Sequence, residues 1–144
     1  MLIQLALGSL LLLLTMIVSA VFWVLLEYAL LRLHGWVRRP PHGFRLMVVL
    51  VIALMLTLLM VTASVWIWAL ALRALDIFTT LEASVYFALV AFTTLGFGDV
   101  LLPFEWQLLG GLAAANGLLE FGLLTAMLVE TLRETRLRQR ELRH

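Results

Sequence analysis

The chain contains no cysteine, which excludes disulfides and thiolate metal sites and leaves redox usage silent on compartment. Histidine is almost as scarce. His34, His42 and His144 are scattered and offer no metal-ligand spacing. No nucleophile stands beside a base, so neither an enzyme nor a cofactor is expected, and no nucleic-acid partner either. Charge is thin, at 13% of 144 residues, where a soluble domain carries about 25%. Lysine is missing altogether. All ten basic residues are arginine, and all but Arg73 fall in two clusters: Arg32, Arg38, Arg39 and Arg45, then Arg133, Arg136, Arg138, Arg140 and Arg143. What remains is hydrocarbon: 64% hydrophobic residues and a mean hydropathy of +1.09 describe an integral membrane protein, all-α in class.

Three segments are long enough to cross a bilayer, which takes about 20 apolar residues. Met1–Leu26 carries no charge; its length and the lack of a preceding basic residue argue against a cleavable signal peptide. Leu46–Leu72 is likewise uncharged, and a third span runs from about Trp106 to Val129, interrupted by Asn116 and Glu120. Leu81–Phe92 is too short to cross and suits a re-entrant half-helix. Thr79, with Glu82 three residues on, reads as the capping box that starts it. Arginine-rich loops stay cytoplasmic. The loop Arg32–Arg45, broken by Gly35, Pro40, Pro41 and Gly43, and the tail from Arg133 are therefore expected inside, with the N-terminus outside. Trp23, Trp36, Trp66, Trp68 and Trp106 mostly suit interfacial anchoring or lipid-facing packing. Glu130, Arg133, Glu134 and Arg138 form pairs that would carry the last helix onward.

Thr93–Val100, TTLGFGDV, follows the half-helix directly. Two glycines one residue apart make a poor helix and allow backbone angles that other residues avoid. Irregular backbone at membrane depth survives only when buried in protein or lining a water-filled cavity. Such a segment implies an aqueous path. A glycine loop acting only as a turn is the plainer alternative.

At these residues the chain resembles the potassium-channel family, whose filter is a T-V-G-Y-G loop of stacked carbonyls. The resemblance implies that Thr94, Leu95, Gly96 and Phe97 present carbonyls to K+, that the Thr94 hydroxyl adds the innermost ring, and that Gly98 completes the loop. Thr93 and Asp99 would flank it, with Asp99 at the outer mouth. The half-helix would aim its negative end at a central cavity. Leu95 replaces valine and Phe97 replaces tyrosine. The tryptophan that braces that tyrosine in many members is Phe87 here, and Val90 stands where some bacterial members carry a glutamate. Asp99 thereby loses a partner, for which Tyr86 is the candidate donor.

The resemblance extends into the third span through Gly117 and the run Phe121–Ala126, FGLLTA. It implies a bend at Gly117 and a cavity lined by Leu118, Phe121, Thr125 and Val129, with Phe121 able to gate by dewetting. Gly110, Gly111 and the neighbouring alanines read as helix packing. Glu120 has two readings. Four copies facing one axis would concentrate cations; alternatively the carboxyl hydrogen-bonds Asn116 or hydroxyls of a neighbouring span. No span carries an arginine ladder, so no voltage sensor is expected.

The organisation expected is an N-terminal span and basic loop over 1–43, a pore module over 44–132 and a charged tail over 133–144. The resemblance implies a homotetramer in the plasma membrane conducting K+. A non-selective monovalent cation channel and a non-conducting accessory protein on the same scaffold remain open.

Overall fold

A computed structural model of the chain describes residues 1–37 and 42–141. Among the described residues the regular structure is helical: α1 (Leu2–Val37), α2 (His42–Ala74), α3 (Leu81–Phe92), one 3₁₀ turn (Phe104–Trp106) and α4 (Gln107–Glu141). Three stretches are long and apolar enough to cross a membrane, Leu2–Ala29, Met47–Ala74 and Phe104–Glu130. Helix α1 continues through Gly35, and α2 begins before Gly43. The break expected across Arg32–Arg45 therefore shrinks to its middle, because one glycine costs a helix only about 1 kcal/mol. Arg38, Arg39, Pro40, Pro41, Arg143 and His144 lie outside the described residues, as do the side chains of Arg45, Glu134, Arg136, Arg138 and Arg140. In the tail that is described, Arg133 lies 3.7 Å from Glu130.

Helix α1 runs parallel to α4 in a constant register. Gln4 and Thr15 meet Glu105 and Asn116, each 101 residues further on, and Gly8 lies against Leu109 and Leu112. Helix α2 runs the other way, since Leu72 and Trp68 share a cluster with Leu109 and Ala113 while Ala53 and Met60 share one with Leu124 and Met127. The half-helix α3 is inserted between α2 and α4, adding Ala88 and Phe92 to the first of these clusters.

A polar layer separates the two apolar cores. Thr15, Ser64, Asn116 and Glu120 are completely buried, and Ser19 nearly so. Polar side chains within hydrocarbon are costly and turn to the bundle interior, which is where α1, α2 and α4 meet. Trp68 departs from its expected place. It is buried, packed among Val65, Leu72 and Phe92 rather than at an interface, because α2 turns that face toward α3 and α4.

Candidate functional site

The half-helix α3 starts at Thr80, not Thr79. Thr80 is extended (φ −120°, ψ 149°), and its Oγ1 accepts a hydrogen bond from the Ala83 amide at 3.2 Å. Its helix therefore has Ala83, rather than Glu82, at the third position. The shift is local: Thr80 has the extended backbone of a cap and its hydroxyl in reach of an unpaired amide.

The far end of α3 is a Schellman turn. The Thr94 amide donates to Ala91 O at 2.9 Å and the Leu95 amide to Val90 O at 3.1 Å, the two crossed bonds of that motif. The motif places Thr94 in the left-handed region, at φ 58°. For a β-branched residue this is a genuine outlier. Glycine would be the ordinary occupant. The same sign of φ returns at Gly96 (58°) and Gly98 (77°), and not at Leu95 or Phe97. Alternation of handedness along successive residues turns their carbonyls to one side and their amides to the other. The two glycines have nothing within 4 Å of where a Cβ would stand, so conformation rather than crowding selects them.

The return limb is tied to α3. The Tyr86 hydroxyl donates to Asp99 Oδ2 at 2.5 Å, and the Val100 amide donates to Asp99 Oδ1 at 3.0 Å. The Tyr86 hydrogen bond holds the Asp99 carboxyl below its ordinary range, partly opposed by desolvation. The same bond raises the Tyr86 hydroxyl above its ordinary value. Phe87 packs on Phe78, with ring centroids 5.5 Å apart, and against Gly110, away from the loop. Val90 contributes its carbonyl to the Schellman turn and is half-buried. Leu95 and Phe97 project outward, Phe97 with 67% of its surface exposed.

Helix α4 is uninterrupted through Gly117, and Gly117 is a point of backbone contact. A Cβ there would overlap the Phe92 carbonyl oxygen and lie 2.6 Å from its carbon and 2.8 Å from the Phe92 Cα. Beside this contact, the Phe92 and Phe121 rings meet edge to face at 5.8 Å. Leu118, Phe121, Thr125 and Val129 are exposed on α4, whereas Asn116, Gly117, Glu120, Leu124 and Met127 are buried on its other side. Of the two readings of Glu120, the structure has the interhelical one. The carboxyl is buried within the protomer, and Ser64 Oγ donates to its Oε1 at 2.7 Å.

Sequence reasoning missed the contributions of α1. Gln4 Nε2 donates to Glu105 O, and Gln4 Oε1 accepts from the Leu108 amide at 3.1 Å, so a side chain of α1 caps the first turn of α4. The single hydroxyl proton of Thr15 has two acceptors at 2.9 Å, Leu12 O and Asn116 Oδ1. The signal was present as spacing, since Gln4, Gly8, Thr15 and Ser19 recur at helical intervals along one face of an otherwise apolar span. No group of histidine, aspartate or glutamate side chains among the described residues is arranged to hold a metal.

No curated protein and no solved structure matches the chain. A family model described as an ion channel matches residues 47–134, which takes in most of α2, the half-helix, the TLGFG loop and most of α4 and leaves α1 outside. The protein therefore belongs to the ion channel family.

Proposed function

We propose that the protein is a homotetrameric potassium channel of the plasma membrane, conducting K+ passively past the carbonyls of Thr94, Leu95, Gly96 and Phe97. The observation that supports this most is the alternation of positive φ at Thr94, Gly96 and Gly98. A strand of that form offers a row of backbone oxygens able to replace the hydration shell of a monovalent ion. One chain supplies one such row, and a ring needs several. The exposed loop and the exposed residues Leu118, Phe121, Thr125 and Val129 are the surfaces that a symmetric assembly would turn to its axis. In this reading the N-terminus lies outside and the arginine-rich tail inside. Asp99 holds negative charge at the outer mouth, where it raises the local concentration of cations. Glu120 lies off the axis and acts between helices.

A second reading, a non-selective cation channel, draws support from the bracing. Phe97 has no hydroxyl, and Phe87 packs on Phe78 instead of on the loop. The two readings separate in liposomes holding the purified protein. Potassium-selective conduction gives K+ and Tl+ flux well above Na+ flux. Equal K+ and Na+ flux establishes the second reading, and absence of any flux sinks both.

A further inference from the structure

Asn116 and Gly117 are neighbours in α4 that face different partners. Gly117 receives the carbonyl of Phe92, the last residue of α3, two positions before Thr94. Asn116 accepts from Thr15 of α1, and Glu120, one turn further on, accepts from Ser64 of α2. In hydrocarbon, apolar side chains give little preference for one helix rotation over another, because lipid tails and leucine are alike. Directional contacts must set it. One residue step is about 100° of rotation, so a turn of α4 by one position would present a side chain, in place of Gly117, to the foot of the TLGFG loop.

We propose that α1 and α2 form a positioning frame for that loop, with Thr15 and Ser64 fixing the rotation of α4 that seats Gly117 beneath Phe92. Gln4 adds the axial component. Its amide engages both Glu105 O and the Leu108 amide and so sets the height of α4 against α1. The constant offset of 101 at Gln4 and Thr15 makes the two settings parts of one register. Thr15, Ser64, Asn116 and Gln4 are positioning residues: none of them reaches the loop, and each acts through α4. The functional consequence rests on the filter reading above, whereas the mechanical linkage does not.

The test uses the full chain with glycine labelled for solid-state NMR in liposomes, alongside K+ and Na+ flux. Thr15→Val keeps the shape and leaves a buried acceptor unpaired. It is expected to move the Gly117 and Gly96 resonances and to lower the K+ to Na+ flux ratio about tenfold, equivalent to ~1.4 kcal/mol. Thr15→Ser restores both. Should Thr15→Val fail to assemble, Thr15→Val with Asn116→Leu removes both polar partners, a change that can be nearly neutral for stability. That double variant is expected to assemble with the Gly96 resonance displaced, Gly117 being set aside because it is the covalent neighbour of the substituted Asn116. The proposal is overturned if Thr15→Val lowers only the melting temperature, or if the double variant keeps the wild-type Gly96 resonance. A wild-type protein without selective flux sinks the filter reading, while the resonances still decide whether the frame exists.

Discussion

Helices α2 and α3 end in the same way and to different purpose. At the end of α2 the Asp76 amide donates to Arg73 O and the Ile77 amide to Leu72 O, the same crossed pair that closes α3 at Thr94 and Leu95. Asp76 is left-handed at φ 52° and Thr94 at φ 58°. Aspartate tolerates that region because its short polar side chain can bond locally, and here the carboxyl lies 2.8 Å from Arg73. Threonine has no such tolerance. After Asp76 the chain makes an ordinary turn, whereas after Thr94 positive φ recurs at every second residue. One helix end is therefore an ordinary stop, and the other is the first step of an alternating strand. A strained residue held by its surroundings is a pointer to function, and at the second end Gly117 stands against the carbonyl of Phe92, two residues before the strained Thr94.

Gly117→Ala should have the largest effect. The added methyl would meet backbone, which cannot swing aside, so the cost should exceed the 1–3 kcal/mol usual for overpacking. Loss of the assembled form on heating in detergent, tens of degrees below wild type or at all temperatures, is the outcome to look for. Gly96→Ala comes next. Nothing crowds the site, so about 1–2 kcal/mol per chain should arise from the left-handed backbone alone, with K+ flux lost while helical content by circular dichroism is kept.

Thr94→Gly and Asp76→Gly make the same substitution at matching positions. At Thr94 it relieves strain and removes a hydroxyl, so thermal stability should hold or rise while the K+ to Na+ flux ratio falls. At Asp76 it relieves little and breaks an exposed ion pair, a pair type worth about 0–1 kcal/mol. Melting temperature and flux should both stay near wild type. An equal loss of selectivity in the two variants would remove the distinction between the helix ends.

Tyr86→Phe should have a smaller effect, seen mainly against pH. The Tyr86 bond lowers the Asp99 carboxyl below its ordinary value. Its contribution is therefore complete above the ordinary carboxylate range and is lost as pH falls through the lowered value. Without the hydroxyl, acid inactivation of flux should begin at higher pH, nearer the ordinary range. An unchanged acid limb would show that Tyr86 does not brace the loop.

Much of this was legible in the sequence because hydrocarbon permits few solutions. The spans, and α3 from Leu81 to Phe92, follow from lengths of apolar chain and from the need to satisfy every backbone polar group. The loop motif and its two glycines stood out for the same reason. Rotation was not legible. A helix apolar on every side gives no moment by which to tell lipid from protein, which is why Trp68 was expected at an interface or facing lipid and Glu120 had two places open to it. Thr94 was hidden for another reason: its φ is imposed by the Schellman turn and contradicts its own propensity. Thr79 against Thr80 was a one-residue choice between equal hydroxyls, settled only by the geometry of the amide they compete for.

The buried polar layer holds two kinds of group, those paired within their own helix and those paired across helices. Thr15 and Ser19 each bond a carbonyl of their own helix, Leu12 O and Thr15 O, both at 2.9 Å. Neither hydroxyl depends on another helix for an acceptor. Glu120, the costly group, takes its hydrogen bond from Ser64 of a different helix. The ionisable side chain thus draws its hydrogen bond from a second span, whereas the hydroxyls of α1 find acceptors on their own.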